Sequence, residues 1–362
     1  MKDFFLRFVR LGLGCEPDAF EWFKGSNSPF TVKDWQALET LANEQGLLGV
    51  MLDGVEKLPQ ELRPEKKAIL QSIGQLLKSE QRYLAQEHAA VKMALLLHQH
   101  GIRTYVLKGA VVSECYPRPE HRRSVDLDCF LLSEKDSDDV WEEGNRLVEE
   151  AGFEVARGFY KNSTFRLPWL TVENHRFMTP FRGNVRLRQL EGLLQAMIAE
   201  DAGKDRFDGT WLYRPPVMVS ALFLIEHAYS HFLHEGLTWR HVLDWAMFSI
   251  KHHEEIDWVS FDAFIDEFGF RKFYDSYVRL GRFLLGELAA GGLTFADRRM
   301  LADVWAPLDL HESFHGVKAK FQLAGNYWRA KWKYKIFTDV NWLYALFEWV
   351  SGAVFDKHPR LR

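Results

Sequence analysis

Cysteine is nearly absent: Cys15, Cys115 and Cys129 are the three in 362 residues. An odd, scattered set supplies neither a disulfide framework nor the paired spacing of a zinc site, so the stapled secreted folds are excluded and a reducing compartment is expected. An excess of one charge is also missing. The 46 basic residues nearly balance 50 acidic ones, for a net charge of −4, which excludes a surface dominated by a nucleic-acid-binding field while leaving room for a local basic patch. No apolar run is long enough to cross a bilayer. The most apolar window, 217–233, is interrupted by Glu226, His227 and His231, and a spanning helix needs about 20 apolar residues. The first residues place Arg7 and Arg10 where an export signal requires an apolar core, so they read as a short amphipathic helix. Internal repeats and low-complexity linkers are lacking as well. The expectation is a soluble cytoplasmic protein with no membrane partner.

What is present is ample apolar content for a large core, 47% of residues, in a chain long enough for two or three domains. From Thr31 to His100 apolar residues recur at helical spacing (Trp35, Leu38, Leu41, then Ile69, Ile73, Leu76, Leu84), with Thr31 as a cap and Gly101 as a stop. Residues 102–190 switch to short runs bounded by turns. The pattern predicts strands at 104–107, 127–132, 153–157, 164–167 and 170–174, and a helix from Glu134 to Glu150 capped by Ser133 or Asp136. Beyond Val185 helical spacing returns. Pro215-Pro216 opens a helix running to about His234, followed by 238–252, 257–268, 271–288, 295–305 and two aromatic-rich helices near 312–337 and 339–355. Three regions follow: an N-terminal helical region over 1–100, an α/β core over 101–190 and a helical domain over 191–362.

The most informative stretch runs from Val106-Leu107-Lys108-Gly109-Ala110 to Ser124-Val125-Asp126-Leu127-Asp128. Side chains alternate along a strand, so Asp126 and Asp128 emerge on one face, roughly 7 Å apart. Such a pair also suits a solvated strand edge, but Val125, Leu127, Cys129, Phe130 and Leu131 around it read as core. Carboxylates held in a core call for a cation. Mg²⁺ (or Mn²⁺) is the natural choice, because it accepts one or two carboxylates and completes its shell with water and substrate phosphate. Gly109 lets a strand turn straight into a helix start, where free N–H groups favour phosphate, and Lys108 adds a point charge.

These residues resemble the nucleotidyltransferase superfamily with the DNA polymerase beta type of palm. More closely, Leu107-Lys108-Gly109, Tyr116-Pro117, Arg122 and Asp126-Leu127-Asp128 resemble an uncharacterised bacterial nucleotidyltransferase family reading L-K-G, Y-P, R-x-x-x-D-x-D, with an acidic residue, any residue and His in a later strand, here Glu173-Asn174-His175. The resemblance implies an α+β fold, a small mixed-sheet nucleotidyltransferase core between an N-terminal helical segment and a C-terminal all-helical domain. It also implies transfer of a nucleoside monophosphate from a nucleoside triphosphate such as ATP to a hydroxyl, with release of pyrophosphate. In it Asp126, Asp128 and Glu173 hold the metal and act in catalysis, Lys108, Gly109 and Ala110 seat the triphosphate, and Arg122 neutralises its charge. The superfamily prefers a serine where this chain has Ala110. The nearest later hydroxyl is Ser113, one helical turn on.

The helix expected to end near His234 carries His227, His231 and His234 on one face, and Arg240 and Asp244 follow on the next. Hydrogen bonds between helices, a zinc site and a lining for the cleft all fit this arrangement. The resemblance favours acceptor or base contacts by His175, His227, His231, Arg240 and Asp244. Residues 318–335 interleave lysine and arginine with Phe321, Tyr327, Trp328, Trp332 and Tyr334, which suits an amphipathic helix burying its rings or an RNA-binding surface. Two further readings therefore stand beside the enzyme: a catalytically silent nucleotide- or partner-binding regulator of antitoxin type, and an RNA-binding protein. The acceptor, whether small molecule, protein or RNA, is not encoded in any motif.

Overall fold

The N-terminal helices pack more closely than ordinary side chains permit. Helix α1 (Lys2–Leu13) buries Phe5, Phe8 and Val9 and crosses α3 (Leu48–Lys57) with the two backbones in contact. A Cβ on Gly12 would lie 2.1 Å from the Val50 carbonyl oxygen, and one on Gly54 would lie 1.9 Å from that of Phe8, so only glycine fits at either position. Between them in sequence, α2 (Val32–Glu44) starts on a capping box in which Thr31 Oγ1 accepts from Asp34 N and Asp34 accepts from Thr31 N. The long α4 (Lys66–Gln99) runs up to Gly101, whose φ of 77° turns the chain into the sheet. The computed structural model describes residues 1–15, 31–134, 139–157, 160–181, 183–201, 203–306, 328–345 and 347.

The sheet has six strands in the order β3-β4-β5-β2-β1-β6. They are β1 (Ile102–Val106), β2 (Asp126–Ser133), β3 (Val155–Ala156), β4 (Asn162–Leu167), β5 (Leu170–His175) and β6 (Leu212–Tyr213). β2 lies antiparallel to β1 and parallel to β5, while the β4–β5 hairpin closes one side. A single turn, α5 (Ala110–Ser113), follows β1, and α6 (Val140–Glu150) packs against β2. The chain then continues through α7 (Val185–Asp201), α8 (Val217–His234), α9 (Trp239–Lys251), α10 (Trp258–Glu267), α11 (Arg271–Leu285) and α12 (Phe295–Val304). The architecture is α+β. One continuous core links Phe5, Tyr105, Val172, Phe223 and Phe337. Among the described residues no helix is long and apolar enough to cross a membrane.

Several boundaries differ from the expectations. α6 begins at Val140, capped by Asp139 accepting from Glu142 N, because Ser133 is spent closing β2; Asp136 lies outside the described residues. α11 stops at Leu285, where Gly286 takes a φ of 87° that ends a helix cheaply. β6 went unforeseen, since two residues carry no periodic signal. Of the aromatic-rich C-terminal helices, 328–337 and 342–345 are helical and most of the remainder lies outside the described residues.

Candidate active site

Strand register brings the acidic residues together. Asp128 on β2 sits directly beside Glu173 on parallel β5, and Asp126 pairs two positions back with Thr171. Period-two alternation therefore puts Asp126, Asp128, Glu173 and His175 on one face of adjacent strands. His175 Nε2 donates to Asp128 Oδ1 at 2.9 Å and lies 3.8 Å from Glu173 Oε2. Candidate ligand atoms of Asp128, Glu173 and His175 all fall within 4.8 Å of one another, a spacing that suits a metal ion. Asp126 lies outside that closest cluster. The imidazole is held in turn by the Phe177 carbonyl at its Nδ1, 3.2 Å away, and by the ring of Phe223 from α8.

The electrostatics of this face are those of crowded like charges. Burial and then the neighbouring Asp128 charge raise the Asp126 carboxyl above its ordinary value, and the same two causes raise Glu173. Burial acts on Asp128 too, but the His175 hydrogen bond and charge, with Lys108 and Lys161 behind them, outweigh it and hold this carboxyl low. The protein thus stabilises one negative charge fully and leaves two strained.

Lys108 is buried beside this face, where burial and Arg240 push its ammonium down to about 8. It donates to His227 Nε2 at 2.7 Å, and His231 Nε2 lies 3.1 Å from the same nitrogen while its Nδ1 meets Glu235 at 2.7 Å. Burial and then the Lys108 charge keep His227 well below its usual value, so it accepts as a neutral ring. A lysine on His227 leaves no room for zinc there, and among the described residues the α8 histidines form no metal-ligand group. His234 turns back to the Ser230 carbonyl.

Arg122 goes elsewhere than the resemblance implied. It is 1% exposed, with Nε and Nη2 each 2.7 Å from an oxygen of Asp244 and Nη1 donating to the Gly109 carbonyl at 3.3 Å. Tyr116 donates to the same Asp244 at 2.7 Å. Burial disfavours the Asp244 charge, and Arg122 more than compensates. Arg122 and Asp244 thus form a buried brace against the Gly109 turn. Ser113 is fully buried and its Oγ accepts from Arg122 Nη1 at 3.4 Å, so its hydroxyl faces the brace. Arg240 donates to the Arg123 carbonyl at 2.8 Å and packs along Gly46. α5 is one turn long, too short to carry much of a helix dipole.

Three residues outside the sequence reading also lie here. Ser124 Oγ donates to the Asp126 carbonyl at 3.2 Å and stands 3.7 Å from where a Gly109 Cβ would be, so a hydroxyl does reach the turn. Asn162 donates to Glu173 Oε2 at 2.8 Å. Lys161, just before β4, places positive charge near Asp128, Glu173 and His227. No spacing in the sequence announces the last two, because they join the site through the β4–β5 register alone. In the basic aromatic segment, Lys333 is buried between the Phe232 carbonyl and Asp303, and Trp332 packs edge-on against Phe232. That part behaves as a packed amphipathic helix, and 318–327 lies outside the described residues.

A family described as uncharacterised nucleotidyltransferase matches this chain over residues 31–286, well over half its length and inclusive of the whole sheet. No curated protein and no solved structure matches.

Proposed function

The chain belongs to the uncharacterised nucleotidyltransferase family, and from that premise we propose that it moves a nucleoside monophosphate from a nucleoside triphosphate to an acceptor hydroxyl. The observation that carries this reading is the register pairing Asp128 with Glu173, with Asp126 on the same face. The donor set fits a divalent cation of the hard kind: three carboxylates offer oxygen, and His175 orients Asp128 through its hydrogen bond. When bound by Asp126, Asp128 and Glu173, Mg²⁺ or Mn²⁺ would supply charge neutralisation at the reacting phosphate and at the attacking oxygen.

The chain's own residues do the rest. Lys108 and the backbone of Gly109 and Ala110 seat the triphosphate, and Ser124 supplies the hydroxyl that Ala110 lacks. Arg122 and Asp244 act as positioning residues that keep the Gly109 turn in place. Asn162 occupies Glu173 Oε2, so Oε1 is left for the acceptor's proton, and the raised affinity of this carboxyl suits a base. The acceptor oxygen bonds to the α-phosphorus, the bond to the bridging α–β oxygen breaks, and pyrophosphate leaves in line. The resemblance of the Asp126-Leu127-Asp128 motif to the polymerase beta-like palm supports this reading, and a cytoplasmic setting suits the triphosphate supply.

The test is incubation of the protein with each α-labelled nucleoside triphosphate, Mg²⁺ or Mn²⁺ and cell extract as acceptor pool. Label should pass to an acceptor in wild type and not in Asp126→Asn or Asp128→Asn. Transfer at the wild-type level in both variants contradicts the proposal. Saturable nucleotide binding without transfer under any condition selects the silent regulator instead, a reading that Ala110 at the phosphate turn favours.

A further inference from the structure

Beside the carboxylate face, a cavity of about 350 Å³ opens between α2, α4 and the segment leading into β2. Its lining is cationic. Lys78 and Arg82, one turn apart on α4, and Arg123 at the entrance to β2 all face it, and no carboxylate lines it. Arg123 is fixed in place by donating to the Asn43 carbonyl at 3.2 Å. Neither Lys78 nor Arg82 forms an ion pair among the described residues. The acidic groups on the neighbouring helix faces are already engaged: Glu39 accepts from Gln75 at 2.8 Å, and Glu80 and Asp53 hold His121 from opposite sides at 2.9 and 2.8 Å. Positive charge without a protein partner, collected in a concavity, calls for an anion. Ser79 and Ser124 add hydroxyls to the same wall.

The cavity adjoins the site through Ser124. Ser124 and Val125 belong to its lining, and the next residue is Asp126. Ser124 also bonds the Asp126 carbonyl and stands beside Gly109, so one serine touches the cavity, the phosphate turn and the start of the carboxylate strand. A volume of about 350 Å³ is that of a small-molecule subsite.

We propose that this cavity seats the acceptor, and that the acceptor is a small molecule bearing a phosphate group, gripped by Lys78, Arg82 and Arg123 while its hydroxyl passes Ser124 toward Asp126 and Glu173. This rests on the nucleotidyl-transfer reading. This second anion-binding site is separate from the triphosphate seat at Lys108 and Gly109, so donor and acceptor bind side by side rather than in competition.

Calorimetric titration of the full chain with inorganic phosphate and with glycerol 3-phosphate tests this, with and without saturating α,β-methylene ATP and Mg²⁺. Both probes should bind in the presence of the analogue, and the double variant Lys78→Ala/Arg82→Ala should weaken them at least ~10-fold, the scale of a lost charge-assisted contact. Analogue affinity should stay within about twofold in that variant, which also shows that it is folded. Probe binding unchanged by the double variant, displaced by the analogue or absent from wild type at millimolar concentration would overturn the assignment. Should wild type bind the probes through Lys78 and Arg82 but never the analogue, the transfer reading falls and the acceptor role with it, whereas the first three results remove only the cavity's role.

Discussion

Two polar clusters meet at the Gly109 turn, and their charges are arranged differently. Around Asp244, one guanidinium meets one carboxylate through two short bonds, and a tyrosine donates a third. Around Asp128, three carboxylates share one face with one imidazole and two nearby lysines, and two of the carboxyls are raised by burial and by each other. A folded chain pays for desolvating ions by pairing them. The Asp244 cluster is closed on itself, whereas the Asp128 cluster is open, and in the proposed reading a divalent cation completes it. Exposure and the crowding of like charges separate the two: the Glu173 side chain is 35% exposed, against 1% and 3% for Arg122 and Asp244.

Exchanging charge in each cluster should break the comparison in opposite ways. Asp126→Asn should lower nucleotidyl transfer on the order of 10³-fold, the scale on which charge-stabilising groups act in phosphoryl transfer, while the urea midpoint stays near wild type because burial and the Asp128 charge already disfavour this carboxylate. Arg122→Met should do the reverse to stability. It strands Asp244 as an uncompensated buried charge, at a cost of about 3–5 kcal/mol in equilibrium unfolding, and Arg122→Met/Asp244→Leu should regain most of it. If Asp126→Asn proves as destabilising as Arg122→Met, the two clusters are both scaffold.

Lys108 sharpens the comparison through pH. Its ammonium is pushed down to about 8 by burial and Arg240, and phosphate binding favours the charged form. Affinity for α,β-methylene ATP measured without metal should therefore be greatest below pH 8 and fall as pH rises through it, by up to about tenfold per unit. Lys108→Met should bind more weakly and lose that slope. The smallest effect belongs to Ser124→Ala, which removes one neutral hydrogen bond and should weaken the analogue by about fivefold, near 1 kcal/mol. An equal loss in Ser113→Ala would show that the wrong hydroxyl has been assigned to the turn.

The helical frame was legible because its signals are local. Thr31 and Asp34 make their box within one turn, and Pro216 and Thr238 open α8 and α9 where their backbone preferences allow. The one-face spacing of Asp126 and Asp128 was equally local, since β2 contains both. What the chain hides is pairing at long range. The motif R-x-x-x-D-x-D reads as one unit, yet its arginine bonds Asp244, 122 positions away, while its second aspartate meets His175, 47 positions away. Spacing along a strand says which side chains share a face and nothing about which strand lies alongside. Glu173 was reached by resemblance; Asn162 and Lys161 required the hairpin register, and Ser124 required the fold of the Gly109 turn.

The central claim is that the Asp128 face is an open site for a divalent cation. Titration with Mn²⁺, followed by electron paramagnetic resonance in the presence of α,β-methylene ATP, tests it most directly. Saturable binding is predicted in wild type, retained in Ser124→Ala and weakened at least ~10-fold in Asp128→Asn and Glu173→Gln, as expected for loss of a charged ligand. No saturable binding in wild type, or equal binding in both carboxylate variants, would contradict it.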